Sequence, residues 1–179
     1  TMMALITDYM NQVASRIMGE RIQDITKQAN PPFVGSYVYN GKFAVTATED
    51  AWQGTVFIKD NEIETGWKAL VREMERVNKY GFTAAEYERA KTNVLTSYET
   101  MFNEKEKTLS IRYANEYIGN FTQGDYIPGI EMEYNIISSI APMLPLEALN
   151  EYIKELMGNE NIVITYNGPE GKENIPTPT

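Results

Sequence analysis

The sequence predicts an α+β fold in which a small, mainly antiparallel sheet is covered by about six helices. Three observations predict it. Apolar residues recur at intervals of three and four over most of the chain, as they do on the buried face of a helix. Aromatic and β-branched residues cluster between positions 33 and 59, and a short β-branched run stands near the end of the chain. The predicted order is one helix, three strands, five helices and one strand.

The first helix is predicted by a stripe of apolar residues, namely Ile6, Tyr9, Met10, Val13 and Ile17. The pattern continues to Ile25, with a bend expected at Gly19. Pro31-Pro32 excludes further helix, because proline lacks the amide hydrogen and clashes with the preceding turn.

A three-strand meander is predicted next, over residues 33–39, 43–48 and 55–59. Asn40-Gly41 stands between the first two strands and favours a type I′ hairpin turn, since both residues tolerate positive φ. A last strand is predicted over residues 161–166. We expect these segments to form one mainly antiparallel sheet.

Five helices follow the meander, over residues 63–77, 83–102, 110–121, 130–140 and 146–157. Gly81 is predicted to end the second helix of the chain by taking the left-handed conformation. Thr83 and Glu86 form a capping box that begins the third, whose inward face carries Tyr87, Ala90, Val94, Tyr98, Met101 and Phe102. For the fourth helix the inward face is predicted to consist of Ile111, Ala114, Tyr117, Ile118 and Phe121.

The length of 179 residues suits one domain, which we place at residues 1–168, with a proline-containing C-terminal linker at 169–179. The chain opens almost directly in a helical pattern. We therefore expect it to be a segment of a larger protein whose true beginning lies upstream.

The composition excludes several classes of function. The chain has no cysteine and no histidine, so thiolate chemistry, the Ser-His-Asp arrangement and the commonest metal ligand are all missing. The formal net charge of −9 disfavours nucleic-acid binding, which needs cationic groups against phosphate. No apolar run reaches the roughly 20 residues that a bilayer span requires, so we expect no membrane insertion.

Two motifs point to chemistry only weakly. Tyr87 and Lys91 match the Tyr-x-x-x-Lys pattern of short-chain dehydrogenases, but the glycine-rich dinucleotide loop is missing, which favours a core tyrosine and a surface lysine. Glu131 and Glu133 form a carboxylate pair, but residues two apart do not share a helix face. Neither motif predicts an active site.

A block in the middle of the chain carries a family resemblance. It comprises Glu73-Met74-Glu75-Arg76-Val77, Tyr80-Gly81-Phe82-Thr83 and Glu86-Tyr87-Glu88-Arg89-Ala90-Lys91. The block resembles the E-x-E-R…G-F-T-x-x-E-x-x-R-A-K motif of pitrilysin/insulinase-type zinc metallopeptidases, the inverzincins. Shorter matches precede and follow it in order, so the resemblance covers nearly all of the chain. The positions that carry the motif are Glu73, Arg76, Gly81, Phe82, Thr83, Glu86, Arg89, Ala90 and Lys91.

The resemblance implies a processing-peptidase-like metallohydrolase unit in which these nine positions have structural roles. In that family a His-x-x-Glu-His motif and a distant glutamate hold zinc in an earlier unit. A chain without histidine lacks these ligands. We therefore expect no catalytic residue, no metal ligand and no bound cofactor in this segment, with zinc held elsewhere in the parent protein.

The resemblance also implies a parent protein and its partners. The parent would be a zinc endopeptidase acting on peptides or small unfolded proteins, and this segment would form part of its chamber wall. Its partners would be other units of the same polypeptide, including the upstream zinc unit. A bacterial periplasm or cell envelope is the implied setting, although the residues themselves leave the compartment open.

Two other interpretations stay open. The parent is an inactive family member that serves as a binding or scaffold subunit if its His-x-x-Glu-His motif is degenerate. An unrelated α+β binding module is the third interpretation. Such a module would bury its apolar surface, whereas a segment of a larger protein would expose apolar patches where neighbouring units dock.

Overall fold

The computed structural model describes residues 2–42, 50–59, 62–158 and 162–168. These residues form six α-helices and two β-strands, which confirms the α+β class. The helices are α1 (Met2–Thr26), α2 (Ile63–Tyr80), α3 (Ala84–Asn103), α4 (Ser110–Gln123), α5 (Ile130–Ile140) and α6 (Leu146–Leu156), and the strands are β1 (Gly35–Lys42) and β2 (Asp50–Phe57).

The sheet differs from the predicted three-strand meander. β1 pairs antiparallel with β2, from Gly35 opposite Phe57 to Lys42 opposite Asp50. The turn predicted at Asn40-Gly41 is wrong, because both residues lie within β1. Pairing with Trp52 and Ala51 of β2 holds this dipeptide extended. The side-chain Nδ2 of Asn40 also donates a hydrogen bond to Asn11 Oδ1 of α1 at 2.9 Å. The strand predicted at 43–48 lies outside the described residues.

The strand predicted at the C-terminus is not present over residues 162–168, which have no regular secondary structure. Ile162, Val163 and Ile164 are exposed there. β-branched residues favour an extended backbone, but a strand exists only where its amides and carbonyls meet a neighbouring strand. The predicted linker, 169–179, lies outside the described part of the chain.

The core is built around α1, which contacts β1, α3, α5 and α6. One stripe of α1 is buried, and its members are Tyr9, Val13, Ala14, Ile17, Met18 and Ile22. The inward face of α3 is buried through Tyr87, Ala90, Val94 and Tyr98, whereas the last two residues predicted on that face, Met101 and Phe102, are half-buried. Leu149 and Ile153 of α6 complete the core beside α2. This arrangement brings α1, α6 and the junction between α2 and α3 together.

α1 is continuous past Gly19 to Thr26, so the glycine does not interrupt the helix. The buried stripe continues on both sides of Gly19, through Met18 and Ile22. Packing of that stripe keeps the helix continuous even though glycine itself favours the unfolded chain.

We expect Gly19→Ala to stabilise the protein by about 0.5–1 kcal/mol, because alanine restricts the unfolded chain. A Cβ at Gly19 would meet no atom within 4 Å. Thermal unfolding followed by circular dichroism would measure the change. Gly66→Ala in α2 is the matched comparison and should destabilise, since its Cβ would lie 2.9 Å from Ile58 Cγ1 and 3.1 Å from the Pro32 carbonyl oxygen. A lower melting temperature for Gly19→Ala would contradict the prediction.

α4 is oriented opposite to the prediction. The apolar residues expected to face inward are exposed, among them Ile111, Tyr117, Ile118 and Phe121. On the opposite side of the helix, the Arg112 guanidinium donates to the Met101 thioether at 3.1 Å, and Glu116 is half-buried. Periodicity located the helix correctly, but its polar face is the one that contacts the rest of the described structure.

Candidate functional site

The nine motif positions come together where α2 ends and α3 begins, and we call this region the α2–α3 joint. Glu73 and Arg76 lie on the last turns of α2, and Gly81 and Phe82 form the connection. Thr83 caps α3, which carries the other four positions, Glu86, Arg89, Ala90 and Lys91.

Gly81 makes the sharp change of direction between the two helices. Its φ of +68° is positive, as predicted, but its ψ of −164° is extended rather than left-handed helical. Its amide donates to the Val77 carbonyl at 2.7 Å. A Cβ at this position would lie 2.6 Å from Asn150 Cγ, so glycine is required by conformation and by space.

The side chain of Asn150 in α6 binds both backbone groups of Phe82 in the connection. The Phe82 amide donates to Asn150 Oδ1 at 2.7 Å, and Asn150 Nδ2 donates to the Phe82 carbonyl at 3.3 Å. The Phe82 side chain is buried. The joint is thereby attached to α6.

The predicted capping box is present at the start of α3. The Glu86 amide donates to Thr83 Oγ1 at 3.4 Å, and the Thr83 amide donates to Glu86 Oε2 at 2.8 Å. The Thr83 hydroxyl also donates to Glu86 Oε2 at 2.8 Å. These bonds satisfy amides that the first turn of a helix leaves without partners.

Glu86 also forms a bidentate ion pair with Arg21 of α1. Arg21 Nε and Nη2 donate to its two carboxylate oxygens at 2.7 and 2.8 Å. The hydrogen bonds from Arg21, helped by those from Thr83, lower the pKa of Glu86 to about 2. The Arg21 guanidinium lies 5.5 Å from the centroid of the Phe82 ring. Arg21 therefore attaches the joint to α1.

A second ion pair between α1 and α3 lies nearer the solvent. Arg89 Nε donates to Glu20 Oε2 at 2.9 Å, with just over half of the arginine side chain exposed. Ala90, the next motif position, is fully buried in the core. One face of α3 thus packs on α1, and a more exposed ion pair also joins the two helices.

Glu73 is the one charged residue that is buried in the described part of the chain. Arg76, one turn further along α2, donates to Glu73 Oε1 at 2.7 Å, while most of the arginine side chain remains in solvent. A buried carboxylate requires such a partner, since burial otherwise disfavours its charged form.

Tyr87 and Lys91 adopt roles unlike those in a dehydrogenase. The Tyr87 hydroxyl donates to the Leu144 carbonyl at 2.6 Å, and burial raises the pKa of Tyr87. Lys91 Nζ lies 4.9 Å from the Tyr87 ring centroid and donates to Glu88 Oε1 at 2.8 Å. The lysine side chain is largely covered, which corrects its prediction as a surface residue. A tyrosine that holds its proton more tightly is a weak acid catalyst.

A cavity of about 260 Å³ opens beside the joint, lined by Arg21, Arg76, Tyr80, Gly81 and Thr83. Both arginines are already paired with carboxylates, Arg21 with Glu86 and Arg76 with Glu73. Glu86, with a pKa of about 2, is a poor general base at neutral pH. The charged groups of the α2–α3 joint therefore connect helices to one another, and none of those described here is suited to general acid–base catalysis.

Two residues of the joint, Arg21 and Asn150, were not among the predicted positions. Arg21 stands four residues after Ile17 on the apolar stripe of α1, where a charge implies a buried partner. Asn150 precedes Ile153 by one turn on the buried face of α6. Their partners lie 65 and 68 residues away in sequence, so the sequence could not identify them.

The residues of this chain do not fit a zinc site. Zinc prefers histidine and cysteine, of which the chain has none. In addition, the described ranges contain no group of three or more acidic side chains placed to hold a metal ion. A zinc site with histidine or cysteine ligands would need those ligands from outside this chain.

Comparison with solved structures assigns the fold. The crystal structure of the first half of the periplasmic protease PqqL from Escherichia coli superposes with a TM-score of 0.73 over 87% of this chain, at 15% identity. The chain has the fold of a segment of PqqL. The structure of the PqqL protease from the same organism also matches with a TM-score of 0.73 and 15% identity, over 89% of this chain.

The match covers only part of each PqqL chain. This chain spans 33% of the first-half structure and 18% of the longer PqqL chain. No family model matches the sequence, and no curated protein does so. The likeness therefore establishes the fold, and what the parent protein does is a proposal.

Proposed function

We propose that this chain is a non-catalytic structural segment of a zinc-dependent endopeptidase of the pitrilysin/insulinase type, which degrades peptides or small unfolded proteins. The observation that carries the proposal is the match to a segment of a protease over 87% of a chain that has no histidine. The fold is that of a piece of a peptidase, and the usual zinc ligands are missing from this piece. The segment's role is to build the wall of the chamber.

The α2–α3 joint supports this role. Its charged groups form internal ion pairs, and its backbone is attached to α1 by Arg21 and to α6 by Asn150. Such a network stiffens the unit, so that it can hold neighbouring units in position. A catalytic group would instead need a pKa near the working pH and access to substrate.

Exposed apolar surface supports the proposal over an unrelated module that folds alone. On the outer face of the hairpin, Tyr37, Tyr39 and Phe57 are all exposed, and the Tyr37 ring centroid lies 5.9 Å from that of Tyr39 and 6.0 Å from that of Phe57. We assign this aromatic face and residues 162–166 as contacts for other units of the same polypeptide, including the zinc-binding unit.

The proposed location is the bacterial periplasm or cell envelope. PqqL is periplasmic, which supports this assignment by fold alone. No helix in the described part of the chain combines the length and apolar character needed to cross a bilayer. Peptide substrate would meet the parent protein in that compartment.

The purified 179-residue chain should show no zinc-dependent hydrolysis of a quenched fluorescent peptide library, because it lacks the histidine ligands. Metal analysis after gel filtration should likewise find no stoichiometric zinc. Thermolysin, assayed at the same concentration, is the positive control. Robust chelator-sensitive cleavage that co-elutes with the chain would overturn the non-catalytic assignment.

The gene sequence upstream of Thr1 would distinguish the two candidate parent proteins, an active zinc peptidase and an inactive relative. An intact His-x-x-Glu-His motif there, with a later glutamate, supports the active peptidase. A degenerate motif supports the alternative, an inactive relative that acts as a binding or scaffold subunit.

A further inference from the structure

α4 carries an apolar stripe that points away from the rest of the described structure. The stripe consists of Ile111, Tyr113, Ala114, Tyr117, Ile118 and Phe121, which share one side of the helix. Phe121 is 91% exposed, Tyr117 65% and Ile111 63%. None of the described side chains of α4 is buried. A helix of 14 residues is marginal in water by itself, so this face is built to be covered.

The orientation of α4 is held by its polar side. The Arg112 guanidinium donates to the Met101 thioether at 3.1 Å and to Glu116 Oε1 at 3.4 Å. Arg112 also attracts Glu133 of α5, whose pKa is raised mainly by burial and by the Glu116 charge and is lowered by the Arg112 charge. The contacts of Arg112 with α3 and α5 place its side of α4 toward the protein and the apolar stripe outward.

We propose that the stripe is a dimerisation surface and that its occupant is α4 of a second copy of this chain, packed antiparallel. This inference does not rest on the proposed function.

The aromatic residues of the stripe are self-complementary. Tyr113 and Phe121 stand four residues before and after Tyr117, which lies at the middle of α4. A two-fold axis through Tyr117 therefore places Tyr113 against Phe121 of the second copy, and Tyr117 against its own counterpart. An isologous interface requires this kind of symmetry, in which the same patch serves both subunits. Aromatic side chains also favour contact with one another.

The charge distribution favours α4 over other surfaces as the place where a second copy can approach. Two chains of net charge −9 repel each other over most of their surfaces. The stripe carries no charged residue, and the remainder of α4 has one arginine and one glutamate. Two copies can therefore approach along α4 with little repulsion.

The exposed area of the stripe approaches what a dimer buries on each partner. At their observed exposures, Tyr113, Tyr117 and Phe121 offer about 400 Å² together, and the two isoleucines raise this to about 600 Å². A stable complex buries about 800 Å² on each partner, so the stripe supplies most of what a dimer needs. We expect association that depends on concentration.

Sedimentation velocity over a wide range of protein concentration tests the proposal. The wild-type chain should approach twice its 20.4 kDa mass as concentration rises. Tyr117→Glu and Phe121→Glu should each raise the dissociation constant at least about tenfold, since each places a charge in the interface. Asn115→Glu is the matched control, because it adds the same charge to another side of the same helix and should leave the dimer intact. Far-UV circular dichroism confirms that each variant is folded.

A single thiol gives a second measurement. Because the chain has no cysteine, Tyr117→Cys introduces one thiol at the expected axis, and mild oxidation should produce a disulfide-linked dimer. Asn115→Cys should cross-link far more slowly. A chain that remains monomeric at all concentrations would overturn the proposal, including the case in which another segment of a longer polypeptide covers the stripe. A dimer that persists in both glutamate variants would overturn it as well.

Discussion

Gly81→Ala is expected to lower the free energy of unfolding by about 4 kcal/mol, with a fall in melting temperature of about 10 °C for a chain of this size. The positive φ of +68° with an extended ψ of −164° is a conformation that residues with a Cβ adopt only at a cost of about 1–3 kcal/mol. The added Cβ would also lie 2.6 Å from Asn150 Cγ, which would displace the side chain that binds the Phe82 backbone. Each lost hydrogen bond adds about 1 kcal/mol.

Gly129→Ala is the matched control for conformation alone. Gly129 precedes α5 with a φ of +82° and an extended ψ of 150°, and a Cβ there would meet no atom within 4 Å. We expect a loss of about 1–3 kcal/mol. If urea unfolding gave equal losses for the two variants, the contact with Asn150 would contribute nothing. The double variant Gly81→Ala/Asn150→Ala should lose less than the sum of the single variants, since removal of the asparagine side chain relieves the clash.

Arg21→Met is expected to lower stability by about 2 kcal/mol at neutral pH. Methionine preserves much of the apolar stem but removes the guanidinium that donates to both oxygens of Glu86 at 2.7 and 2.8 Å. The carboxylate then stays largely covered, with less than a fifth of its side chain exposed, and keeps its bonds from Thr83 alone. Removing one partner of a covered ion pair costs more than the pair itself contributes, because the other charge is left without compensation.

The loss in Arg21→Met should depend on pH with a defined sign. Glu86 has its pKa lowered from 4.5 to about 2 in the folded protein. The contribution of the ion pair is therefore complete above about pH 4.5 and disappears as the pH falls toward 2. Urea unfolding at several pH values should show a wild-type advantage that is largest near neutrality and shrinks below pH 4.5.

Arg89→Met is the control for the ion pair of Arg21. It removes the same kind of group from the same pair of helices, but the Arg89–Glu20 pair is more exposed, at 55% and 28% of the two side chains. We expect a loss of at most about 0.5 kcal/mol, as is usual for surface pairs. Equal losses in the two arginine variants, or a loss in Arg21→Met that does not change with pH, would contradict the prediction.

The local signals of the sequence located the helices and their caps. The box of Thr83 and Glu86 depends on residues three apart, and the buried stripe of α3 depends on the helical period. Each of these signals is complete within one or two turns of chain. The helix end at Gly81 was predicted for the same reason, since positive φ is a property of a single residue.

The tertiary structure decided what each local element contacts. Asn40-Gly41 has turn propensity, yet its pairing with Trp52 and Ala51 in β2 keeps it in a strand. The stripe of α4 has a clear helical period, yet it faces outward, because periodicity defines an apolar face without saying which molecule covers it. Arg21 and Glu86 stand 65 residues apart, and only the packing of α1 on α3 brings them together. Local sequence signals thus predicted the helices and their caps, and the composition alone showed that histidine and cysteine ligands are missing. The strand pairing, the ion pairs of the joint and the outward face of α4 depend on long-range contacts, whose free energy exceeds local preference.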